Sequence, residues 1–411
     1  MSRLRAYIKP RNTNGDFLPE FIEVTEDVDF DATGNISQLI DNNEFNVGQF
    51  KFSDFDLKLR NQLGAYSDVD VLQSIFRTRR AGSQFKLTWS PSDQSPQCGD
   101  SIAGNSYGAT IDSPVDVFIG VINDEASKLD IDDQQITFSV LSTDSIFTTI
   151  EAPFNLLSIG QLYSDAIFAI LNQVSVTEYL LLDVGNITLG LDQTFDVVTQ
   201  YENKTVKEVL DDVLRQANAI IFIKEETIFI RPRDGGLVSK YTFIGQGSND
   251  GIEDIIKISD VTTGLNKVFN YWTFADTDLI AKDVGSIDIN LIRKKEISVE
   301  AITNTAKRQA ILNSQRDTFK NKKQRFDLTV AINSDLLGLF LLDRVTVDYP
   351  TIFIPGETGG ELPIYGIAIY NESFYGFGEF ALTIDKITPY KIMGRTIETV
   401  KQTIKFKLEE I

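Results

Sequence analysis

Apolar and polar residues alternate with a period of two over much of the first 150 residues, the pattern of half-buried strands. Phe50, Phe52, Leu57 and Leu59 flank Asp54-Phe55-Asp56, and Phe85-Lys86-Leu87-Thr88-Trp89 alternates strictly. The run Val115-Asp116-Val117-Phe118-Ile119-Gly120-Val121-Ile122 follows Pro114, and Ile136-Thr137-Phe138-Ser139-Val140-Leu141 comes after an acidic turn at Asp130 to Gln135. Short strands at this spacing predict a small barrel or sandwich. Residues 90–114, rich in Ser, Gly, Asp and Pro, predict an exposed loop that interrupts it.

The period then lengthens to that of a helix. Ser158 and Gln161 have capping-box spacing, and Ile159, Leu162, Tyr163, Ala166, Ile167, Ile170 and Leu171 form one stripe. A second helix is predicted from Thr205, with Glu208 completing a capping box. Its stripe is Val206, Val209, Leu210, Val213, Leu214 and Ala217. It should end near Asn218 and pass directly into two strands, Ala219 to Lys224 and Thr227 to Arg231, joined at Glu225-Glu226.

From Gly251 to about Val299 the chain is strand-like again, with Trp272 inside Val268-Phe269-Asn270-Tyr271-Trp272-Thr273-Phe274. Thr303 to Lys320 contains no Gly or Pro and only a thin apolar stripe, which predicts a polar surface helix. The last quarter returns to alternation at Phe326, Leu328, Val330 and Ile332, at Val345-Thr346-Val347, and at Phe380 to Ile384. Ile404-Lys405-Phe406-Lys407-Leu408 alternates with lysine on one face, the signature of a soluble edge strand or one awaiting a partner. The expected fold class is α+β, mainly β. The expected divisions are a β unit over 1–150, an α/β helix-plus-hairpin unit over 151–250, connecting strands and a surface helix over 251–325, and a second β unit over 326–411.

Composition narrows the chemistry. The 411 residues hold no histidine and one cysteine, Cys98. Without imidazole, Ser-His-Asp and Cys-His catalysis and His-ligated zinc are excluded, and a single thiol excludes disulfide frameworks and all-cysteine zinc sites. Cys98 lies in the predicted loop with no base assignable to it, so it reads as an incidental thiol. No run of eighteen apolar residues occurs, so no membrane-spanning helix is predicted. The start, Met1 to Pro10, lacks the apolar core of a signal peptide, and synthesis in a cytoplasm is expected.

Charge adds a second constraint. Lys plus Arg number 39 against 59 Asp plus Glu, net -20, which disfavours nonspecific binding to nucleic acid or anionic membrane. Residues 1–200 carry 12 basic and 29 acidic side chains, residues 201–411 carry 27 and 30, so the acid is concentrated in the first half. Lys307, Arg308, Arg316, Lys320, Lys322, Lys323 and Arg325 face only Asp317, a local net of +6. That segment reads either as a solvated helix face or as a docking surface.

Carboxylates are the abundant acid/base groups left, so glycoside hydrolysis is the common enzyme class still permitted. Asp124-Glu125 and Asp130-Ile131-Asp132-Asp133 are the obvious pairs, yet each sits in a predicted turn, where Asp is favoured for backbone reasons. Asp130 to Asp133 and Gly247-Ser248-Asn249-Asp250-Gly251 supply oxygen ligands, but neither matches a twelve-residue calcium loop. There is no GxxxxGK[ST] or GxGxxG loop, and Gly359-Gly360 and Gly376-Phe377-Gly378 read as turns. No catalytic, cofactor-binding or metal-ligating residue is therefore assigned, and no cofactor is expected. Trp89 and Trp272 lie within strand alternations, which gives them packing roles.

Three stretches in this order resemble the hub family of tailed-phage baseplates and tail tips, related to the base of type VI secretion spikes. The first is Val117 to Ile122 followed by Ile136 to Asp144, similar to the strand pair closing that family's first barrel. The second is the helix and hairpin from Thr205 through Ala219-Ile220-Ile221-Phe222-Ile223 to Pro232, similar to its inserted α/β domain. The third is Leu336 to Leu342 with Asp343-Arg344-Val345-Thr346-Val347, like the strand opening its second barrel.

The resemblance implies two small β-barrels with an inserted helix-plus-hairpin domain. It also implies a structural, non-enzymatic virion protein at the tail tip or baseplate. A homotrimer would present six barrels as a pseudo-sixfold ring linking the tail tube to a central spike or fibre and surrounding the genome ejection channel. Implied neighbours are distal tail or tube proteins, the spike or fibre protein and the tape measure protein, with DNA passing unbound. The chain ends at Ile411 without a spike, lysozyme or fibre extension, so the spike is expected to be a separate protein. The competing readings are a hexameric distal tail adaptor with one barrel, and a glycan-binding or glycan-hydrolysing tail protein.

Overall fold

The computed structural model describes residues 4–12, 14, 16–39, 54–67, 74–76, 79–90, 114–153, 156–157, 159–190, 192–197, 199–224, 226–232, 239–245, 254–262, 268–298, 302–353, 381–384 and 387–411. Most of the 90–114 loop with Cys98, the Gly247–Gly251 run, Ser158, Phe50, Phe52, Gly359-Gly360 and Gly376–Gly378 lie outside the described residues, as do the side chains of Asp124 and Glu125.

Among the described residues of the first 150, seven strands form: β1 (Leu4–Arg11), β2 (Ile22–Glu23), β3 (Ile36–Leu39), β4 (Asp54–Arg60), β5 (Arg79–Trp89), β6 (Val115–Asp130) and β7 (Gln135–Ser142). Six form one curled half-barrel sheet in the order β2-β1-β5-β6-β7-β4. The alternation becomes burial directly, since Phe85, Leu87, Trp89, Ile136, Phe138 and Val140 are all buried. Gly120 is required where β6 meets β7, because a Cβ there would lie 2.4 Å from the Leu141 carbonyl oxygen and 2.6 Å from the Phe118 ring.

The middle unit opens with the pair β8 (Leu156–Leu157) and β9 (Thr199–Gln200) around α1 (Tyr163–Leu171) and the short α2 (Val174–Thr177). α1 begins at Tyr163, later than the Ser158 start expected from the capping pattern. Gly160 has φ +85, which interrupts any helix there, and Ile159 and Leu162 are exposed while the stripe from Tyr163 to Leu171 is buried. Next come α3 (Val206–Ala217), β10 (Ala219–Lys224) and β11 (Thr227–Pro232). Thr205 and Glu208 form the capping box, and Asn218 ends the helix in the left-handed region. The α1 and α3 stripes and the hairpin share one core with Phe195 and Phe147.

The C-terminal half-barrel runs in the order β12-β18-β20-β21-β17-β13. It includes β12 (Ser239–Ile244) and β13 (Ile255–Thr262), strands from the 151–250 and 251–325 spans. After them the chain forms a separate three-stranded sheet of β14 (Tyr271–Phe274), β15 (Ile280–Lys282) and β16 (Lys294–Ile297), with α4 (Val284–Asn290) between the last two. Helix α5 (Thr305–Phe319), capped by Asn304, packs Leu312 and Phe319 against Trp272 and Phe274. The polar helix therefore has one buried edge that covers this sheet.

The half-barrel is completed by β17 (Arg325–Ala331), the turn α6 (Ser334–Leu337), β18 (Arg344–Phe353), β19 (Ala381–Ile384), β20 (Pro389–Glu398) and β21 (Thr403–Glu410). Leu336 to Leu342 is a buried helical turn and loop, and the strand opens at Arg344, because α6 carries the apolar run into the core. The lysine-bearing strand β21 is central, flanked by β17 and β20, and not an edge. Its Lys405 is accommodated by Asp327 on β17 at 2.6 Å, which solves locally what an edge would solve by hydration. One continuous core joins both half-barrels, from Leu4 and Phe85 to Phe326 and Phe406.

Candidate functional site

The features most able to carry function are the places where the units meet. β3, from the N-terminal segment, pairs with β20 of the C-terminal sheet through Ile36↔Ile397 and Leu39↔Gly394, and the Ser37 and Thr396 hydroxyls hydrogen-bond at 3.1 Å. The N-terminal segment thereby belongs to both half-barrels. Where β1 meets the middle unit, Arg11 donates to Glu178 at 2.8 Å, to the Gly82 carbonyl at 3.1 Å and to the Tyr179 hydroxyl, while its guanidinium lies 4.0 Å from the Phe17 ring centroid. The flat fork of Arg allows all of these at once.

The β10–β11 hairpin is wedged between the half-barrels. Phe222 lies 5.3 Å from Phe340, and Lys224 donates to the Gly338 carbonyl at 2.9 Å. At its tip, Glu226 takes φ +63 and its carboxyl sits near Lys86, Asp116 and Lys9. Burial raises the Glu226 pKa, opposed by Lys86 and reinforced by Asp116. Lys86 is itself paired with Asp116 at 2.7 Å.

A cavity of about 60 Å³ lies in this joint, lined by Asp144, Thr143, Asp116, Phe222, Lys224 and Arg395 among others. Asp144 is nine-tenths buried, and its Oδ1 has no hydrogen-bond partner. Burial pushes its pKa from 3.8 up to about 6, against lowering hydrogen bonds from Ser142 and its own amide. The joint brings these polar groups against apolar side chains of both half-barrels and of the hairpin.

The carboxylates singled out in the sequence behave otherwise. Asp130, Asp132 and Asp133 stand together in the exposed β6–β7 turn, where the Asp133 amide donates to Asp130 Oδ1 at 3.2 Å. That is turn chemistry. Among the described residues no three Asp, Glu or Cys side chains converge as metal ligands. Trp89 and Trp272 are buried core residues.

The basic segment is largely satisfied within the chain. Lys307 pairs with Asp196 at 2.5 Å, Lys320 with Asp283 at 3.3 Å, and Arg325 with Glu409 at 2.6 Å. Arg308 stacks over Phe274 at 4.8 Å. Asp144, Arg11 and the β3 exchange were not legible beforehand, since each depends on residues more than 80 positions apart. The motif Ser142-Thr143-Asp144 at the end of β7 was the nearest signal.

Among the described residues no helix is long and apolar enough to cross a membrane. No family model and no curated protein matches the chain. Solved structures do. A tail protein from Neisseria meningitidis MC58 is similar at 13% identity and TM-score 0.55, covering 99% of this chain and 96% of that one. The 43 kDa tail protein of prophage MuSo2 from Shewanella oneidensis is similar at 12% identity and TM-score 0.52, covering 100% and 97%. Prophage tail protein gp18 from Listeria monocytogenes EGD-e follows at 9% identity and TM-score 0.50, covering 99% and 94%. The chain has, over nearly its whole length, the fold of these phage tail proteins, as the three sequence stretches imply by resemblance.

Proposed function

We propose that this chain is a structural hub protein of a bacteriophage tail tip or baseplate. Three copies form a pseudo-sixfold ring that links the tail tube to a central spike or fibre and surrounds the DNA ejection channel. The observation that carries this reading is the presence of two curled half-barrel sheets in one chain, welded by a common core and by the β3 exchange. Three such chains offer six half-barrels, the number a sixfold tube needs, while retaining threefold symmetry for a spike. A hexameric adaptor would need only one per copy. The full-length fold likeness to phage tail proteins supports the same assignment.

No enzymatic step is part of this function. The neighbours are distal tail or tube proteins, the spike or fibre protein and the tape measure protein, and DNA passes without specific binding. The acidic first half suits the channel wall, because cationic walls would hold phosphates and stall transit. The test is the copy number and position of this chain in an assembled particle by electron cryomicroscopy. Three copies around the channel support the hub; six copies, or a basic lumen, overturn it or its electrostatic part respectively.

A further inference from the structure

The three-stranded sheet with α4 and α5 is inserted between two strands that are themselves neighbours. β13 and β17 pair antiparallel, and Thr262 at the end of one stands in register with Arg325 at the start of the other. The chain therefore leaves the C-terminal sheet and returns to it at one place. The return is anchored: the Gln324 amide donates to the Glu410 carboxylate at 2.9 Å, and the Glu410 amide donates to the Gln324 carbonyl at 2.9 Å.

This inserted unit has a core of its own. Trp272, Phe274, Ile297, Leu312 and Phe319 are buried together, and among the described residues their cluster shares no member with the core of the half-barrels or that of the middle unit. The half-barrels, by contrast, are joined through one continuous core.

The hydrogen bonds that tie α5 to the middle unit centre on one carboxylate. Asp196 accepts from the Asn304 amide at 3.0 Å and from Lys307 Nζ at 2.5 Å, at the N-terminal end of α5. Lys307 Nζ also donates to the Thr194 carbonyl and lies 5.8 Å from the Tyr163 ring centroid. Further along the helix, Asn218 donates to the Ser314 hydroxyl at 3.3 Å. Both side chains of the ion pair are mostly buried. Asp196 is thus held jointly by a helix N-terminus, whose dipole favours an anion, and by a largely desolvated ammonium. Removing the carboxylate leaves that ammonium buried without its counter-charge.

Contacts within a chain that are small and polar leave relative motion of the units as the default. We infer that residues 268–320 form a latched arm, which keeps its own fold, pivots about the paired strand ends at Thr262 and Arg325, and is held against the middle unit by Asp196. Releasing this one carboxylate frees the arm without loosening its core or either half-barrel. The latch lies within one copy and stands or falls independently of the proposed ring.

The test uses the full chain in a Cys98→Ser background, with spin labels on Ser175→Cys in α2 and Asp288→Cys in α4, both exposed positions. Labelled chain is diluted into unlabelled chain, and the label-to-label distance is read by pulsed electron spin resonance. With the latch intact, one dominant distance is expected. Asp196→Ala and Lys307→Met should each raise the population at other distances by about tenfold or more. Arg316→Ala should not, because Arg316 pairs with Asp317 inside the arm. Tryptophan emission should keep the wavelength of buried indole in every variant, since Trp272 lies in the core of the arm and Trp89 in that of the half-barrels. A broad distribution with the latch intact, or one that neither latch variant changes, overturns the arm. Release accompanied by a shift of emission to longer wavelength also overturns it, because the unit would then be unfolding and not swinging.

Discussion

Arg11 and Glu178, 167 positions apart, meet at 2.8 Å and tie the first strand of the N-terminal half-barrel to the turn after α2. The Arg11 side chain is almost completely buried and Glu178 is partly hydrated, so most of the cost of breaking the contact falls on the groups around Arg11. Arg11→Ala should lower stability by about 2–4 kcal/mol, because it empties the stack on Phe17 and strips hydrogen bonds from Gly82 and Tyr179. Arg11→Lys should recover less than half of that, since a point charge cannot bridge three acceptors. Denaturant unfolding of the three proteins checks both; a full rescue by lysine would show that charge alone matters.

Asp144 gives a pH dependence with a definite sign. Its native pKa is raised from 3.8 to about 6, so between those values the folded state binds more protons than the unfolded chain. Its contribution is therefore most favourable at low pH and is lost as pH rises through about 6. The difference in unfolding free energy between wild type and Asp144→Asn should change by on the order of 3 kcal/mol from pH 4 to pH 7, with the asparagine protein relatively more stable at neutral pH. Melting curves of the pair across that range decide it, because other carboxylates cancel in the difference. A flat difference would place the native pKa at its ordinary value.

Two glycines in strands should respond unequally to alanine. At Gly120 the new Cβ meets backbone, the Leu141 carbonyl oxygen at 2.4 Å, and a packed ring. Backbone cannot yield without opening the β6–β7 ladder, and a loss of about 3 kcal/mol or more is expected. At Gly394 the nearest atoms are Leu39 Cδ1 at 2.9 Å, the end of a flexible side chain, and then Lys407 Cδ at 3.3 Å and Cβ at 3.4 Å, none of them backbone. Gly394→Ala should cost about 1 kcal/mol, by loosening β3 on β20. Hydrogen exchange would locate the damage in β6–β7 for the first and in β3 for the second.

The helix before the hairpin separates local from tertiary stabilisation. Thr205→Ala removes the hydroxyl that accepts from the Glu208 amide and should cost about 1 kcal/mol. Leu210→Ala leaves a cavity in the core shared with α1 and should cost about 3 kcal/mol. Equal losses in urea unfolding would mean that α3 is held by its cap and not by packing.

Local signals in the chain were sufficient wherever neighbours in sequence interact. The Thr205–Glu208 capping box, the α3 stripe, the hairpin after Asn218 and the buried faces of β5, β7 and β17 all follow from periods of 3.6 and 2, which depend on backbone geometry alone. The missing histidines likewise excluded whole classes of chemistry without a fold. The α1 start, by contrast, moved past Gly160 because its left-handed backbone outweighs a favourable cap spacing. Strand partners were decided only in three dimensions. Alternation says which face of β21 is buried and nothing about whether its edges are taken, so Lys405 and Lys407 resembled edge protection until β17 and β20 closed on both sides. The transfer of β3 to the C-terminal sheet, the joining of β12 and β13 to it, and the buried unpartnered oxygen of Asp144 are consequences of long-range pairing, which periodicity does not encode.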